Sequence, residues 1–112
     1  MNWEVHNDLN YIVIKPLESR LDSALAPKFR EYVADITQTH QKTLVLDLGE
    51  VEFMDSSGLG AVVGCYKLTQ SVGGLFVCNV RPQVKDIFRL THMDRIFEVD
   101  DGFDDCVEKL AA

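Results

Sequence analysis

Residues 53–60, Phe53-Met54-Asp55-Ser56-Ser57-Gly58-Leu59-Gly60 (FMDSSGLG), stand between two segments of different period. Before them, Thr43-Leu44-Val45-Leu46-Asp47-Leu48 is a short apolar run of the kind that makes a central, buried strand. After them, Leu59, Val62, Val63 and Tyr66 recur at helical spacing, and the pattern stops near Gly73-Gly74. The stretch therefore reads as the turn that carries a central strand into a helix.

The same alternation extends outward in both directions. Toward the N-terminus, Trp3 to Val5 and Leu9 to Ile14 hold β-formers around Asn7-Asp8, which predicts a hairpin. Asp22-Ser23 reads as a helix cap with Pro27 in the first turn, followed by Leu25, Phe29, Val33 and Ile36 on one helical face. Toward the C-terminus, Leu75-Phe76-Val77-Cys78 predicts another buried strand, and Pro82 opens a third helix carrying Val84, Ile87 and Phe88. Ile96-Phe97-Glu98-Val99 predicts a final strand. Asp100 and Asp101 then precede a last helix with Phe103, Cys106, Val107 and Leu110 on one face, where acids suit the helix dipole. The expected fold is α/β: one domain over residues 1–112, with a mixed, mostly parallel sheet of four to five strands flanked by about four helices. The hairpin supplies the mixed edge. In such sheets function sits at the carboxyl ends of strands, and FMDSSGLG lies just past one.

Composition narrows the function. A hydrophobic fraction of 46% suits a folded core, and a net charge of −7 with pI near 4.8 disfavours nucleic acid and anionic membrane surfaces. Lys67, Arg81, Lys85, Arg89 and Arg95 are scattered among acids and form no basic patch. The first ten residues lack a secretory signal, and no apolar run approaches the ~20 residues that span a bilayer. Cys65, Cys78 and Cys106 are odd in number and lack metal-type spacing, which fits reduced thiols in a cytoplasmic protein. His6, His40 and His92 are dispersed too. No metal, cofactor or catalytic residue is expected.

The serine turn departs from the known reactive turns. Gly58-Leu59-Gly60-Ala61-Val62-Val63 begins like a dinucleotide fingerprint but puts valine where the third glycine belongs, and Asn79 stands where the next strand would end in an acid. A phosphate-cradling loop needs a lysine that is absent. A nucleophile elbow around Ser56 would need glycine at position 54, where Met54 stands, and a histidine base. A plain N-cap explains one hydroxyl. It does not explain Gly58, Gly60 and Gly64 in the first turns of a helix, where each glycine costs about 1 kcal/mol relative to alanine. Helix starts also favour anions, so the turn is suited to a covalent phosphate or to presenting backbone to a partner.

From Leu44 to Val80, LVLDLGEVEFMDSSGLGAVVGCYKLTQSVGGLFVCNV resembles the core of the STAS domain, and more narrowly the bacterial anti-sigma factor antagonists. The D-S-S-G-L-G turn after a V-L-D-L strand carries the resemblance, with the later G-G-x-x-x-V strand and the R-P-x-V helix start. The resemblance implies a partner switch. Unphosphorylated, such a protein binds an anti-sigma factor that is also its serine kinase, and so frees the sigma factor. Phosphorylated on the serine after the aspartate, here Ser56, it lets go, and a PP2C-type serine phosphatase restores it. Asp22 matches the family's aspartate at the end of the second strand, although this chain has Ser19-Arg20-Leu21-Asp22 where the family often has G-E-L-D. Asp22, Met54, Asp55, Ser57, Gly58, Leu59 and Gly60 are the expected partner-binding residues. Ser57 is expected to cap the helix, Asp55 to cap it or face the kinase, and Met54 with Leu59 to offer an exposed apolar contact, with a core position as the alternative for Leu59. The alternative is an adaptor module of the same fold controlling a non-sigma output such as secretion, motility or a transporter complex; a small enzyme is a third reading that lacks a base, metal or cofactor loop.

Overall fold

A computed structural model describes residues 2–100 and 102–111; Asp101, expected at the start of the last helix, lies outside the described residues. The elements are β1 (Trp3–Asn7), β2 (Tyr11–Pro16), β3 (Arg20–Leu21), α1 (Ala26–His40), β4 (Thr43–Asp47), β5 (Phe53–Met54), α2 (Ser56–Thr69), β6 (Leu75–Cys78), α3 (Pro82–Leu90), a 3-10 turn (Met93–Arg95), β7 (Glu98–Val99) and α4 (Phe103–Ala111).

Five strands make the main sheet in the order β1-β2-β4-β6-β7. β1 runs antiparallel to β2, and β2, β4, β6 and β7 run parallel, so the hairpin is the mixed edge. In register, Val13 faces Val45 and Val45 faces Phe76. The two-residue side-chain period then divides the core. Ile12, Ile14, Leu44, Leu46 and Val77 join Phe29, Val33, Val62 and Phe88 from α1, α2 and α3 on one face. Val13, Val45 and Cys78 meet Cys106 of α4 on the other. A sheet covered on both faces is why the β4 sequence is apolar at successive positions rather than alternating.

Several boundaries differ from expectation. The hairpin loop falls one to three residues later, with the Asp8 N–H donating to the Tyr11 carbonyl at 2.9 Å and Leu9 fully in solvent. α2 ends at Thr69, whose hydroxyl turns back to the Cys65 carbonyl at 2.8 Å. The chain then closes through Gly74 N–H to the Thr69 carbonyl at 2.8 Å, and Gly73, at φ 132°, takes a conformation that other residues resist. The final strand holds only Glu98 and Val99, because Met93–Arg95 is already turned into a 3-10 helix and leaves Ile96 exposed. A second sheet was not expected: β3 and β5 pair in parallel as a two-residue ribbon, Arg20 with Phe53 and Leu21 with Met54. This ribbon positions the serine turn.

Candidate functional site

β5 points Met54 inward, where it is 2% exposed, and hands the chain to Asp55 in an extended conformation (φ −101°, ψ −172°). Asp55 is the N-cap of α2. Its Oδ1 accepts the Gly58 N–H at 2.9 Å, and its Oδ2 accepts the Ser23 N–H at 3.2 Å. One carboxylate thus satisfies a free donor of α2 and fastens the loop between β3 and α1 beside it. The expectation that Ser57 caps the helix is corrected: Ser56 and Ser57 are already helical, and a cap needs the non-helical backbone found at Asp55. Ser56 is exposed in the first turn, and its side-chain hydroxyl meets no hydrogen-bond partner among the described residues.

The three glycines have different reasons. A Cβ on Gly58 would drive into the Leu21 carbonyl oxygen and stand 2.9 Å from Met54 Cγ, so glycine is what lets α2 sit against the ribbon. Gly60 is exposed with nothing within 4 Å of such a Cβ, which leaves helix backbone open to solvent. At Gly64 a Cβ would make an ordinary 3.7 Å contact with Arg30. Packing therefore accounts for Gly58 and not for Gly60.

Asp22 lies where the turn needs it, but it does not cap α1. Its Oδ1 accepts the Ala24 N–H at 3.1 Å, and its carbonyl accepts the N–H groups of Leu25 (3.1 Å) and Ala26 (2.8 Å). The chain makes this turn first, and α1 begins at Ala26 with Leu25 as N-cap and no side-chain cap. Leu59 is half-buried and packs on the main core. Met54 is not an exposed contact, since the ribbon faces it inward beside Leu21. Its neighbour Phe53 is the exposed one, at 41%, with the Arg20 guanidinium carbon 4.2 Å from its ring centroid. Alternation within β5 carried that signal: one of the two residues had to face out.

Other polar groups near the strand ends are structural. Asp47 Oδ1 accepts the Gly49 N–H at 2.9 Å and its Oδ2 accepts Asn79 Nδ2 at 3.0 Å, while Arg81 Nε donates to the Gly49 carbonyl at 2.9 Å. Together they pin the loop leading to β5. A shallow depression of about 550 Å³, lined in part by Val13, Lys15, Asp47 and Phe103, lies on the α4 side of the sheet and includes no residue of the serine turn. Among the described residues no cluster of three or more His, Cys, Asp or Glu could hold a metal ion, and no helix is long and apolar enough to cross a membrane.

Residues 2–106 match the STAS domain model. The chain belongs to the STAS domain family. An anti-sigma F factor antagonist of Paenibacillus polymyxa is 36% identical over 101 residues, covering 88% of this STAS domain and 84% of that protein. An anti-sigma factor antagonist (STAS) domain protein of Planctomyces limnophilus superposes with a TM-score of 0.88 at 21% identity, covering 98% of both chains. The Bacillus cell fate determinant SpoIIAA in its phosphorylated form gives a TM-score of 0.72 at 20% identity, covering 97% of this STAS domain and 99% of that chain. The expected mixed, mostly parallel sheet with four helices is the fold found here and in the solved antagonists.

Proposed function

We propose that this STAS domain is an anti-sigma factor antagonist working in the cytoplasm, which binds an anti-sigma factor with serine kinase activity and is switched off by phosphorylation on Ser56. The observation that carries the reading is Ser56 itself: exposed, in the first turn of α2, directly after a cap whose carboxylate holds two segments in place. With no base of its own in hydrogen-bond reach, the Ser56 hydroxyl is suited to be a kinase's substrate, its proton taken by the partner's base as it attacks the γ-phosphate and ADP leaves, and not a catalytic nucleophile of this chain. The curated relative's name supports the sigma pathway, and the anti-sigma partner supplies the phosphoryl chemistry. A PP2C-type serine phosphatase reverses the modification.

The surface around Ser56 suits a partner interface. Gly60 leaves backbone bare, Leu59 is half-exposed beside it, Asp22, Asp55 and Gly58 fix the turn's shape, and Ser57 follows Ser56 in the first turn of α2. Phosphate adds about −1.5 to −2 charges at neutral pH. Free N–H groups at the start of α2 offset part of that locally, by about 0.3–1 kcal/mol. Against a docked partner nothing offsets the lost hydration, and an unpaired buried charge costs several kcal/mol. Incubation with the anti-sigma factor and ATP, followed by peptide mapping, should place one phosphate on Ser56. Phosphate on Ser57, Ser23 or Ser71 would overturn the proposal.

A further inference from the structure

The outward face of the β3–β5 ribbon holds an arrangement that the serine turn does not account for. Arg20 and Phe53 are register partners, and the guanidinium lies over the ring at 4.2 Å. Arg20 Nε donates to Asp22 Oδ2 at 3.4 Å. The ring and the Nε contact fix the guanidinium plane, yet the side chain remains 60% exposed. Among the described residues, its two terminal amino groups meet no acceptor. A guanidinium held by one face and one edge is a prearranged fork for a planar, two-oxygen anion.

The same ribbon is locked to the turn that carries Ser56. Leu21 and Met54, the next residues of the two strands, both abut Gly58. The local carboxylates are already engaged: Asp55 by Gly58 and Ser23, Asp22 by Ala24 and Arg20. Arg20 is also the only lysine or arginine within residues 19–24 and 52–60. An otherwise acidic turn thus offers a visiting protein one positive fork, next to one exposed aromatic ring.

We infer that Arg20 and Phe53 are the partner-specificity contact, the fork taking a surface Asp or Glu carboxylate of the partner protein while Phe53 receives an apolar side chain. The inference rests on the proposed function and adds the chemistry of the recognised surface. It also gives phosphorylation a second effect. A phosphate on Ser56 places an anion on the surface to which the partner brings its carboxylate, so the two repel.

The test uses the full chain. The kinase retained by Ser56→Ala is identified, expressed alone and titrated by calorimetry, without nucleotide, against Arg20 variants in the Ser56→Ala background. Arg20→Lys should weaken binding about tenfold, because a point charge lacks the fork. Arg20→Glu should weaken it about a hundredfold or more, and reversing one partner carboxylate to arginine should restore most of that loss. Phe53→Leu, which keeps the Arg20 charge but removes the ring that orients it and receives the partner's apolar side chain, should weaken binding about fivefold or more. Unchanged affinity of Arg20→Glu, a loss that no carboxylate reversal restores, or a loss seen only with a nucleotide-loaded partner would each overturn the inference and leave the proposed function standing. If Ser56→Ala retains no serine kinase, or Ser56→Asp binds as tightly as Ser56→Ala, the proposed function fails and the inference falls with it.

Discussion

The Asp55 carboxylate accepts the backbone N–H of Ser23, 32 positions away in the chain, at 3.2 Å while its other oxygen caps α2. The serine turn and the loop before α1 are thereby one assembly. Replacing Asp55 by alanine removes both bonds and should cost about 1–3 kcal/mol, a lost cap plus a lost long-range contact. Asp55→Asn keeps one carbonyl oxygen to accept from either donor, but its amide cannot accept from the other, so it should cost about half as much. Urea unfolding of the two variants checks the order. Equal stability of Asp55→Ala and the parent chain would show that the carboxylate does not join the segments.

Gly58 and Gly60 should respond oppositely to the same substitution. Gly58→Ala forces a methyl against the Leu21 carbonyl and should destabilise by about 2–3 kcal/mol. Gly60→Ala meets nothing and should stabilise by about 0.5–1 kcal/mol through helix propensity. It should also weaken binding of the proposed partner, because a methyl would stand on backbone that is now bare. A variant more stable and less active would be the signature of a residue kept for binding. Thermal melts with a binding titration on each variant decide this.

The repeating units were legible in the sequence because they generate a period. α2, α3 and α4 present enough residues to one face for the spacing to identify them, whereas β4 and β6, covered on both faces, show as short unbroken apolar runs. The β3–β5 ribbon has two residues per strand, too few for any pattern, so no spacing marks Arg20 and Phe53 as partners or Met54 as the inward-facing residue. The serine turn was legible as a strand-to-helix connection. Its cap was not, since Asp55, Ser56 and Ser57 are all competent and only the backbone at Asp55 decides among them. The start of α1 differs from the sequence reading for a related reason: Asp22 does bond downstream N–H groups, but through a turn that precedes the helix.

Alkaline pH should loosen the domain before it loosens side chains on its surface. Burial pushes the Cys65 thiol up from its ordinary 9.0 to about 12, and a hydrogen bond with Cys106, with burial, pushes Cys78 up as well. As pH rises past 9.0 the unfolded thiol at position 65 gives up its proton while the folded one keeps it. The stability this represents is whole below 9.0 and drains away as pH approaches about 12. Cys65→Ala should be less stable near neutrality, through lost packing, yet lose stability less steeply above pH 9.0. Urea midpoints followed across that range read the slope; identical slopes in both proteins would remove Cys65 from the account.

Phosphorylation of Ser56 should release the partner without reshaping the domain. The added charge meets repulsion from Asp55 and attraction from the N–H groups of α2, so stability should move by only about 1 kcal/mol either way. Amide chemical shifts should change around residues 54–60 and the Asp22-Ser23 loop that Asp55 holds. Large changes through α4, which packs across the sheet around Cys106, would mean a conformational switch instead.

The three cysteines are all out of reach of solvent: Cys65 in α2 on one face of the sheet, Cys78 and Cys106 meeting beneath α4 on the other. A thiol reagent can therefore reach them only when the chain opens. Labelling rates become a clock for local breathing, with Cys106 timing the lift of α4 and Cys65 timing the helix that begins at Ser56. A partner that grips the start of α2 should slow the second hand of that clock more than the first, so occupancy of the surface can be read from the chemistry of a native side chain within the helix, with nothing placed on the surface itself.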